Sequence, residues 1–401
     1  MKDIMNAVKI SEKVYWVGAI DWNIRDFHGY TTKRGSTYNA YLVTSEKPTL
    51  IDTVKAPFRG EMMARIASVM DPGDIKIIVS NHTEMDHTGA LPETIKEVNP
   101  EQVFASQAGV KALEEHFTFD REITPVKDGD RINLGNASLT CFETRMLHWP
   151  DSMMTYLAED RLLFSQDGFG MHLASSERFD DEIDPAILEY EAATYFANIL
   201  LPYSPLILKL LDRLYGLNLP IDVIAPDHGP LWRKDVKGIV ESYRRWAVQA
   251  PSKKAVVIYA TMWRSTELMA LALAEGLSGR GIPVKVMSLD VNHRSDVAYE
   301  VLDAGILAAG APTLNNNMFP SMADVLTYLK GLRPQNLIGA AFGSYGWSGE
   351  SVKQVEAALA DMKVELPGEP VKAKNVPGAE ELGRCRDLGA LLGDRLLEKL
   401  E

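Results

Sequence analysis

Residues 75–87 read Ile-Lys-Ile-Ile-Val-Ser-Asn-His-Thr-Glu-Met-Asp-His, and they carry the sharpest structural signal in the sequence. Its first six residues are rich in β-branched side chains and predict a buried strand. The residues that follow include four potential metal ligands, His82, Glu84, Asp86 and His87. A solvated polar loop is the alternative, and it would be the better interpretation of a lone His-x-Glu. Four ligand types directly after a buried strand favour a metal site.

Three further residues of ligand type, His148, Asp167 and His228, also come after predicted strands. Any one of them alone could belong to a capped turn or be a structural histidine with satisfied hydrogen bonds. With the first cluster they make four histidines, one glutamate and two aspartates, all at strand ends. We therefore expect the seven side chains to converge on one metal-binding pocket.

Composition and charge narrow the class of protein. The 401 residues are 46% hydrophobic and 24% charged, which are ordinary globular values for a chain of two or three domains. The net charge of -13 argues against a surface that binds nucleic acid. The two cysteines, Cys141 and Cys385, cannot build a disulfide framework, a cysteine zinc site or an iron–sulfur cluster. A metal site must therefore use His, Asp and Glu.

Hydropathy predicts a cytoplasmic protein without a membrane span. No apolar run approaches the ~20 residues that a membrane-spanning helix needs. The segment Met1–Ile10 has no apolar core for a signal peptide. No Cys-x-x-Cys pair follows the last predicted helix, so we expect no fused module with a cysteine-ligated iron.

Residues 1–250 predict a layered α/β sandwich, because short strands are interspersed with helices. Gly60–Met70 has the apolar spacing of a helix. The best candidate linker is Tyr243–Lys254, which ends a helix and runs through Pro, Ser and Lys. The predicted strands are Lys13–Ile20, Tyr38–Thr44, Thr49–Val54, Ile75–Ser80, Gln102–Ala105, Ser138–Glu143, Met154–Leu157, Arg161–Phe164 and Ile221–Ala225.

Residues 251–401 follow a different pattern. Ala255–Tyr259 is a continuous apolar run, as expected for a parallel strand covered on both faces. Four more strands alternate with helices after it, which predicts a doubly wound sheet of five parallel strands. These strands are Val284–Ser288, Ile306–Ala309, Leu337–Phe342 and Val364–Lys374. The helices are predicted at or near Ser265–Leu277, Val297–Ala304, Ala323–Leu332, Ser351–Ala360 and Glu380–Leu400.

The loop after the first of these strands, Ala260–Glu267, carries the hydroxyls of Thr261, Ser265 and Thr266 where a helix begins. Backbone N–H groups at a helix N-terminus bind phosphate, and hydroxyls can add donors. Simple capping of the helix is the alternative. We favour phosphate binding, because this loop lies where a doubly wound sheet binds its ligand. The loop is not glycine-rich, which argues against a nucleoside triphosphate.

The run from His82 to His87 resembles the metal motif of the metallo-β-lactamase fold, and specifically its flavodiiron branch. Hydrolytic zinc members of that fold carry His-x-His-x-Asp-His, whereas this sequence has Glu84 at the second histidine position. A site richer in carboxylate favours harder, redox-active ions such as iron. Three carboxylates would also compensate most of the charge of two ferrous ions.

The resemblance implies a non-haem diiron site with seven protein ligands. His82, Glu84 and His148 would bind one iron, Asp86, His87 and His228 the other, and Asp167 would bridge the two. The assignment of His87 is the least fixed, because some family members leave the matching residue unligated. Each iron would keep an open position for a diatomic ligand.

The second half resembles a flavodoxin, and this implies FMN. Two further loops follow expected strands, and flavodoxins cradle the isoalloxazine ring between two such loops. Aromatic side chains can stack on the ring, and glycines let the backbone approach its polar edge. Tyr345 and Trp347 could otherwise be surface aromatics in a turn. The residues expected to contact FMN are Thr261, Met262, Trp263, Arg264, Ser265, Thr266, Pro312, Thr313, Leu314, Asn315, Asn316, Ser344, Tyr345, Gly346, Trp347, Ser348 and Gly349.

The resemblance spans nearly the whole chain and implies a minimal flavodiiron protein, with a diiron domain over 1–250 and an FMN domain over 251–401. The implied function is reduction of dioxygen to water, of nitric oxide to nitrous oxide, or of both. Electrons would pass through FMN from rubredoxin or a reduced deazaflavin coenzyme. The family's head-to-tail homodimer, alone or as a dimer of dimers, would bring one chain's FMN beside the other chain's irons.

Two other functions stay open on the sequence alone. The first is a zinc-dependent hydrolase of the metallo-β-lactamase fold with an appended flavodoxin-like domain, against which Glu84 and the flavin both weigh. The second is an electron carrier with a vestigial first domain, against which the complete ligand set weighs.

Four histidines lie outside the ligand set. We expect His116 to end a helix, and His293 carries no functional prediction. His28 and His172 could lie near the metal site, although surface or structural roles agree equally well with the sequence.

Overall fold

The structure, a computed structural model, describes residues 5–401. Residues 1–4 belong to the segment for which the sequence predicts no signal peptide, and they lie outside the described residues. The chain forms two compact units. Unit 1 contains the chain up to His28 together with Thr32–Tyr195 and Pro205–Arg244. Unit 2 contains Gly29–Thr31, Phe196–Ser204 and Arg245–Glu401. The domain boundary at residue 250 stays a prediction.

The first 250 residues contain sixteen strands and seven α-helices within the described part of the chain. The strands are β1 Val8–Lys9, β2 Val14–Trp16, β3 Ala19–Asp21, β4 Asp26–Phe27, β5 Tyr30–Thr31, β6 Ser36–Tyr38, β7 Tyr41–Val43, β8 Thr49–Ile51, β9 Ile77–Ser80, β10 Gln102–Ser106, β11 Thr124–Val126, β12 Arg131–Asn133, β13 Ser138–Glu143, β14 Met153–Leu157, β15 Leu162–Gln166 and β16 Val223–Pro226. The helices are α1 Arg59–Ala67, α2 Met85–Thr88, α3 Leu91–Val98, α4 Gln107–His116, α5 Pro185–Tyr195, α6 Ser204–Leu217 and α7 Val236–Val248.

Unit 1 is an αββα sandwich of two mixed sheets. The first sheet has seven strands in the order β1-β2-β7-β8-β9-β10-β11, antiparallel as far as β8 and parallel beyond it. The second has five strands in the order β12-β13-β14-β15-β16, of which the last pair is parallel. This architecture confirms the sandwich predicted from the sequence.

Alternation of side chains along the strands of unit 1 builds two apolar layers. Tyr41 and Val43 belong to a core cluster that also contains Leu139 and Phe164 of the second sheet. The intervening Leu42 belongs to a second cluster, which contains apolar side chains of α1 and α3. The first sheet is therefore buried on both faces.

One helical stretch, Pro185–Leu217, is long and apolar enough to pass a test for membrane spans. It comprises α5 and α6 with a π-helical and a 3₁₀ turn between them. Its most apolar window is 61% buried inside the protein, as in the core helix of a globular protein, so it is weak evidence for a membrane span.

Residues 251–401 contain seven strands and five helices. The strands are β17 Ala255–Tyr259, β18 Val284–Ser288, β19 Ile306–Gly310, β20 Thr313–Leu314, β21 Asn317–Met318, β22 Ile338–Tyr345 and β23 Val371–Lys374. The helices are α8 Ser265–Ser278, α9 Arg294–Val301, α10 Pro320–Leu332, α11 Glu350–Asp361 and α12 Ala379–Leu400.

Unit 2 contains the doubly wound sheet predicted from the sequence. Its five strands lie in the order β18-β17-β19-β22-β23, and all four pairings are parallel. In sequence order this is 2-1-3-4-5, the flavodoxin-like arrangement, whose switch point lies between the first and third strands. Helices α8 and α12 pack together against this sheet, and their side chains share a core cluster with β17, β19 and β22.

Candidate metal centre and flavin cavity

Strand ends and the loops behind them place the predicted metal ligands in unit 1. The chain leaves β9 at Ser80 and begins the short helix α2 at Met85, which carries Asp86 and His87. Asp167 directly follows β15, and His228 lies two residues after β16. Since β15 and β16 are parallel neighbours, their carboxyl ends deliver both side chains to the same edge of the sheet.

The first group of ligand atoms comes from His82, Glu84, His148 and Asp167, which lie within 4.8 Å of one another. His148 Nε2 is 3.2 Å from Glu84 Oε2 and 3.0 Å from Asp167 Oδ2. His82 Nε2 is 3.4 Å from each of the same two oxygens. Two atoms that bind one ion at ~2.1 Å are roughly 3.0–3.4 Å apart, so this spacing suits a single metal ion.

The second group comprises Asp86, His87 and His228. His228 Nε2 lies 3.2 Å from Asp86 Oδ2, and His87 Nε2 lies 3.3 Å from Asp86 Oδ1. Asp167 turns its other oxygen to this group, with Oδ1 at 3.3 Å from His87 Nε2 and 3.4 Å from His228 Nε2. The two oxygens of one buried carboxylate thus face two separate groups, which is the placement that a bridging ligand requires.

Buried acceptors behind the pocket orient its imidazoles. His82 Nδ1 lies 3.0 Å from Asp151 Oδ2, and His228 Nδ1 lies 2.6 Å from the carbonyl oxygen of Thr37. His87 Nδ1 lies 3.5 Å from Asp227 Oδ2. The contacts of His82 and His228 occupy the outer nitrogen and leave Nε2 to face the pocket, as in metal sites whose histidines are fixed by an outer acceptor. His87 Nδ1 has no hydrogen-bond partner among the described residues.

Opposite charges in the metal pocket shift the pKa values of its histidines and carboxylates. Burial alone would lower the pKa of His87, but Asp86 and Asp167 outweigh it and raise the pKa to about 9. Burial would raise the pKa of Asp167, but His87, His148 and His82 hold it well below its usual range. Without metal the imidazoles therefore hold protons beside ionised carboxylates, and metal cations would replace those protons.

A second cavity lies in unit 2 at the carboxyl ends of the parallel strands. It has a volume of ≈ 530 Å³, which is within the range of cofactor sites. Eleven of the seventeen residues predicted to contact FMN line it: Met262, Trp263, Ser265, Pro312, Thr313, Leu314, Asn315, Ser344, Tyr345, Gly346 and Trp347. The side chains of Trp263 and Trp347 are 89% and 90% exposed at this cavity.

Six predicted contacts do not line the cavity, and most of them have other partners. Arg264 pairs with Glu267, and Thr266 contacts Ser344 at 3.0 Å between hydroxyl oxygens. The Ser348 hydroxyl donates to Asn316. Thr261 lies in the same loop as Arg264, and Gly349 directly precedes α11.

Helix capping by hydroxyls is not observed in the first loop of unit 2. Helix α8 begins at Ser265, and the residue before it, Arg264, is left-handed with φ 66°. No side chain accepts a capping hydrogen bond there, so the N–H groups of the first turn face the loop without one. The buried Thr261 hydroxyl also has no hydrogen-bond partner among the described residues. Free donors at a helix start are what a phosphate group needs.

Comparisons with known proteins agree over both units. The family model "ODP family beta lactamase" matches residues 37–229, and "Flavodoxin" matches residues 257–389. A nitric oxide reductase of Moorella thermoacetica is 46% identical over 98% of this chain and 99% of its own length. A rubredoxin-oxygen oxidoreductase of Megalodesulfovibrio gigas is 46% identical over 99% of this chain and its own full length (100%).

Solved structures give the same result. Rubredoxin oxygen:oxidoreductase from the anaerobe Desulfovibrio gigas superposes with a TM-score of 0.97 at 46% identity, covering 98% of this chain and 100% of that one. The flavodiiron protein from Giardia intestinalis superposes with a TM-score of 0.95 at 34% identity, covering 98% and 97% of the two chains. The chain belongs to the flavodiiron protein family.

The cofactors of a flavodiiron protein are FMN and two non-haem irons, and the residues of this chain fit both. In the metal pocket several buried atoms that face the ligand groups have no hydrogen-bond partner among the described residues: His82 Nε2, His87 Nε2, both oxygens of Asp86 and Asp167 Oδ1. Unpartnered buried polar atoms are costly, and metal ions would satisfy them. The donor set of imidazoles and carboxylates suits iron, since neither buried cysteine belongs to it.

Three buried carboxylates beside the metal pocket of this flavodiiron protein were not predicted from the sequence. Asp52 accepts hydrogen bonds from the N–H and the side chain of Asn81, while Asp151 and Asp227 face metal-site histidines. Asp227 is adjacent to His228 in sequence, and that adjacency could have identified it. A lone aspartate such as Asp52 or Asp151 gives no spacing signal.

The structure also places residues that the sequence left open. His28 Nε2 is 3.2 Å from Glu84 Oε1, and His172 is buried with its ring 4.7 Å from that of His228, so both lie beside the metal pocket. His116 ends α4, as predicted. Asn375 and Val376, at the end of β23, line the flavin cavity and were missed because they follow the last strand.

Proposed function

We propose that this flavodiiron protein reduces dioxygen to water, nitric oxide to nitrous oxide, or both. The observation that carries the proposal is the pair of buried ligand groups joined by the two oxygens of Asp167. Relatives that match nearly the whole chain carry the names of these two activities. A zinc hydrolase is disfavoured, because hydrolysis has no use for the flavin cavity.

The ligand assignment is part of the proposal. His82, Glu84 and His148 would hold one iron, Asp86, His87 and His228 the other, and Asp167 both. When bound, the two irons and FMN supply the electrons, up to four when all are reduced, which is the number that conversion of dioxygen to two waters consumes. FMN would be held by the cavity residues of unit 2 and by the donors at the start of α8.

The protein's own side chains prepare the pocket for this chemistry. Burial of both ligand groups excludes bulk water and strengthens every charge interaction inside. Asp151 and the Thr37 carbonyl hold the imidazoles of His82 and His228 in place. His28 Nε2, on a side chain that is 75% exposed, can hold a proton beside Glu84 Oε1, where protons consumed by the reaction would enter.

We also propose a head-to-tail homodimer, alone or paired into a tetramer, in the cytoplasm, with rubredoxin or a reduced deazaflavin coenzyme as the donor. Exposed tryptophans at the flavin cavity support a partner surface there. In unit 1 a separate cavity of ≈ 490 Å³, lined by Phe27, His28 and Met85 beside Glu84 and Asp86, could receive a partner's flavin. Sedimentation equilibrium of the loaded protein would test the dimer, and a monomer at micromolar concentration would contradict it.

The function is tested by loading the protein with iron and FMN, reducing it without oxygen and mixing it with each gas in a stopped-flow instrument. We expect about two irons per chain and reoxidation much faster than that of free FMN with at least one gas. Stoichiometric zinc with hydrolysis of thioesters or lactams would instead identify a hydrolase. Reoxidation at the rate of free FMN would identify an electron carrier.

Asp167→Ala tests the bridging assignment. We expect this variant to lose one or both irons and gas reduction while keeping the flavin spectrum, because unit 2 does not depend on the carboxylate. Asp74→Ala, at an exposed aspartate of unit 1, is the matched control and should keep both cofactors. Full iron content and activity in Asp167→Ala would refute the bridging role.

A further inference from the structure

A cavity of ≈ 190 Å³ lies in unit 1 between the end of β13 and helix α6. Its lining includes Thr144 and Arg145 from the loop after β13, and Lys209 and Arg213 from α6. It contains none of the seven proposed metal ligands. Pockets for drug-sized molecules measure about 300–1,000 Å³, so an occupant of this cavity would have only a few heavy atoms.

The polar part of the lining has an unmet hydrogen bond. Thr144 is 5% exposed, and its hydroxyl has no hydrogen-bond partner among the residues that the structure describes. A buried hydroxyl without a partner is unfavourable, and an acceptor brought by a ligand would relieve it. The Thr144 hydroxyl therefore favours a ligand that carries hydrogen-bond acceptors, and it does so independently of the charged side chains around the cavity.

The charged part of the lining has a surplus of positive charge. Arg145 is paired with Glu143 at 2.8 Å, and Arg213 with Asp128 at 2.7 Å. Lys209 then adds a third cation to a lining in which Glu143 is the one acidic residue. Arg213 is also held over the ring of Phe142 at 5.4 Å, so its guanidinium is positioned before any ligand arrives.

The remaining lining is apolar. Leu147 and Leu210 are buried, while Leu206 is 37% exposed at the cavity. A small inorganic oxyanion would leave these leucine side chains without contacts. An organic anion would use both parts of the lining, with its charge toward Lys209 and its hydrocarbon part on the leucines.

We propose that this cavity is a binding site for a small aliphatic carboxylate. The carboxylate accepts hydrogen bonds from the Thr144 hydroxyl and from Lys209, and the alkyl chain contacts Leu206 and Leu210. The site is separate from the proposed oxidoreductase chemistry, so its test does not depend on the outcome for that function.

The test is calorimetric titration of the iron- and FMN-loaded protein with butyrate, and separately with inorganic phosphate. We expect saturable butyrate binding in the millimolar range and weaker binding of phosphate. Lys209→Glu should weaken butyrate binding at least tenfold, whereas Lys353→Glu, the same charge change on α11, should leave it unaltered. Metal content and gas reduction should stay at the wild-type level in both variants.

Two further variants keep the proposal testable if a charge reversal perturbs the fold. Thr144→Val removes the hydroxyl and keeps the shape, and it should weaken butyrate binding several-fold. Leu206→Asn changes the exposed leucine, and it should weaken butyrate binding but not that of phosphate. The proposal is wrong if butyrate does not saturate a site, if Lys209→Glu binds it like the wild type, or if phosphate binds more tightly than butyrate.

Discussion

Asp151 fixes the position of two neighbours in the metal pocket with a single carboxylate. Its Oδ2 faces His82 Nδ1 at 3.0 Å and accepts the N–H of Thr83 at 2.7 Å. Burial raises the pKa of Asp151, but the contacts with His82 and Thr83 outweigh it and leave the pKa below its usual range. The carboxylate thus stays charged and raises the basicity of the His82 imidazole, whose Nε2 faces the pocket.

Asp151→Asn should therefore weaken iron binding about 10–100-fold while FMN content is unchanged. The amide keeps the size of the side chain but removes the negative charge behind His82. Competition with a ferrous chelator measures the loss, and Asp74→Asn is the matched control on the surface. Equal iron retention in the two variants would mean that Asp151 has only a structural role.

Glu191 is a buried carboxyl group on α5 that makes stability depend on pH. Burial raises its pKa from 4.5 to about 7, and Arg34, whose Nε lies 3.1 Å from Oε1, offsets only part of the effect. Between these pH values the folded state keeps a proton that the unfolded chain releases, so stability falls as pH rises. This contribution is complete below about pH 4.5 and lost once the pH passes 7.

Glu191→Gln should remove the loss of stability at high pH, because an amide does not ionise. Above pH 7 we expect the variant to be more stable than the wild type by about 1–3 kcal/mol. Urea unfolding at about pH 5 and pH 8 measures the difference, with Glu114→Gln on the exposed face of α4 as the control. If the stability of the wild type and that of Glu191→Gln changed with pH to the same extent, the assignment to Glu191 would be wrong.

Gly310 ends strand β19, next to the loop that lines the flavin cavity, and the structure leaves no space for a side chain there. A Cβ at this position would lie 2.1 Å from the ring of Phe342 on the neighbouring strand β22. Both residues are buried, so the ring has no free space into which to move.

Gly310→Ala should destabilise unit 2 by about 1–3 kcal/mol and release FMN at a lower temperature. Gly331→Ala on α10 is the matched control, since nothing lies within 4 Å of its added Cβ. In a helix that change should stabilise by up to about 1 kcal/mol. Thermal release of FMN, followed by fluorescence, measures both, and equal shifts would show that the contact with Phe342 does not matter.

The element boundaries show what sequence patterns can and cannot give. The continuous apolar run Ala255–Tyr259 was predicted with its observed bounds, because a strand buried on both faces has one composition. Residues Val364–Lys374 were predicted as one strand, but β23 begins only at Val371. Pro367 and Pro370 precede it and lack the N–H groups that a sheet needs.

Long-range contacts explain the other differences between the predicted and the observed strands. The sequence placed Ser344 and Tyr345 in a loop, but β22 continues through them because they pair with Ala373 and Lys374 of β23. Lys13–Ile20 was predicted as one strand and forms two, with Gly18 between them, where a Cβ would lie 2.3 Å from the Tyr38 carbonyl oxygen. Neither pairing nor close approach is visible in a local pattern.

The candidate metal site also contains some residues that the sequence could reveal and others that it could not. The structure brings the seven predicted metal ligands into two neighbouring groups, and the sequence could single them out because four lie in one short run and the others follow recognisable strands. Asp151 was not predicted, since its role depends on a contact with His82, which lies 69 positions away in the sequence. Residues that act through another side chain are therefore the part of the site that needs coordinates.

Each of the described hydrophobic core clusters lies on one side of residue 250 in the sequence. The clusters of unit 1 use buried residues between Val14 and Leu231, and the cluster around the parallel sheet uses residues between Ala255 and Leu396. Gly29–Thr31 and Phe196–Ser204 nevertheless belong to unit 2. Asn198, for example, donates to the Ser295 carbonyl and accepts from the Tyr328 hydroxyl.

A fragment of residues 251–401 should therefore fold alone and bind FMN, with lower stability than in the full chain. It keeps the whole parallel sheet and the core cluster around it. It loses eight described hydrogen bonds, to Gly29, Thr31, Asn198 and Gln249, each worth about 0.5–1.5 kcal/mol, so we expect a clear loss of stability but not of the core itself. A fragment that starts at residue 262 is the control, because it lacks β17, the strand between β18 and β19, and it should not fold. Circular dichroism and FMN fluorescence quenching distinguish the two. If 251–401 is insoluble or leaves FMN unbound, the boundary at residue 250 is misplaced, and the segments at 29–31 and 196–204 are necessary parts of the flavin domain.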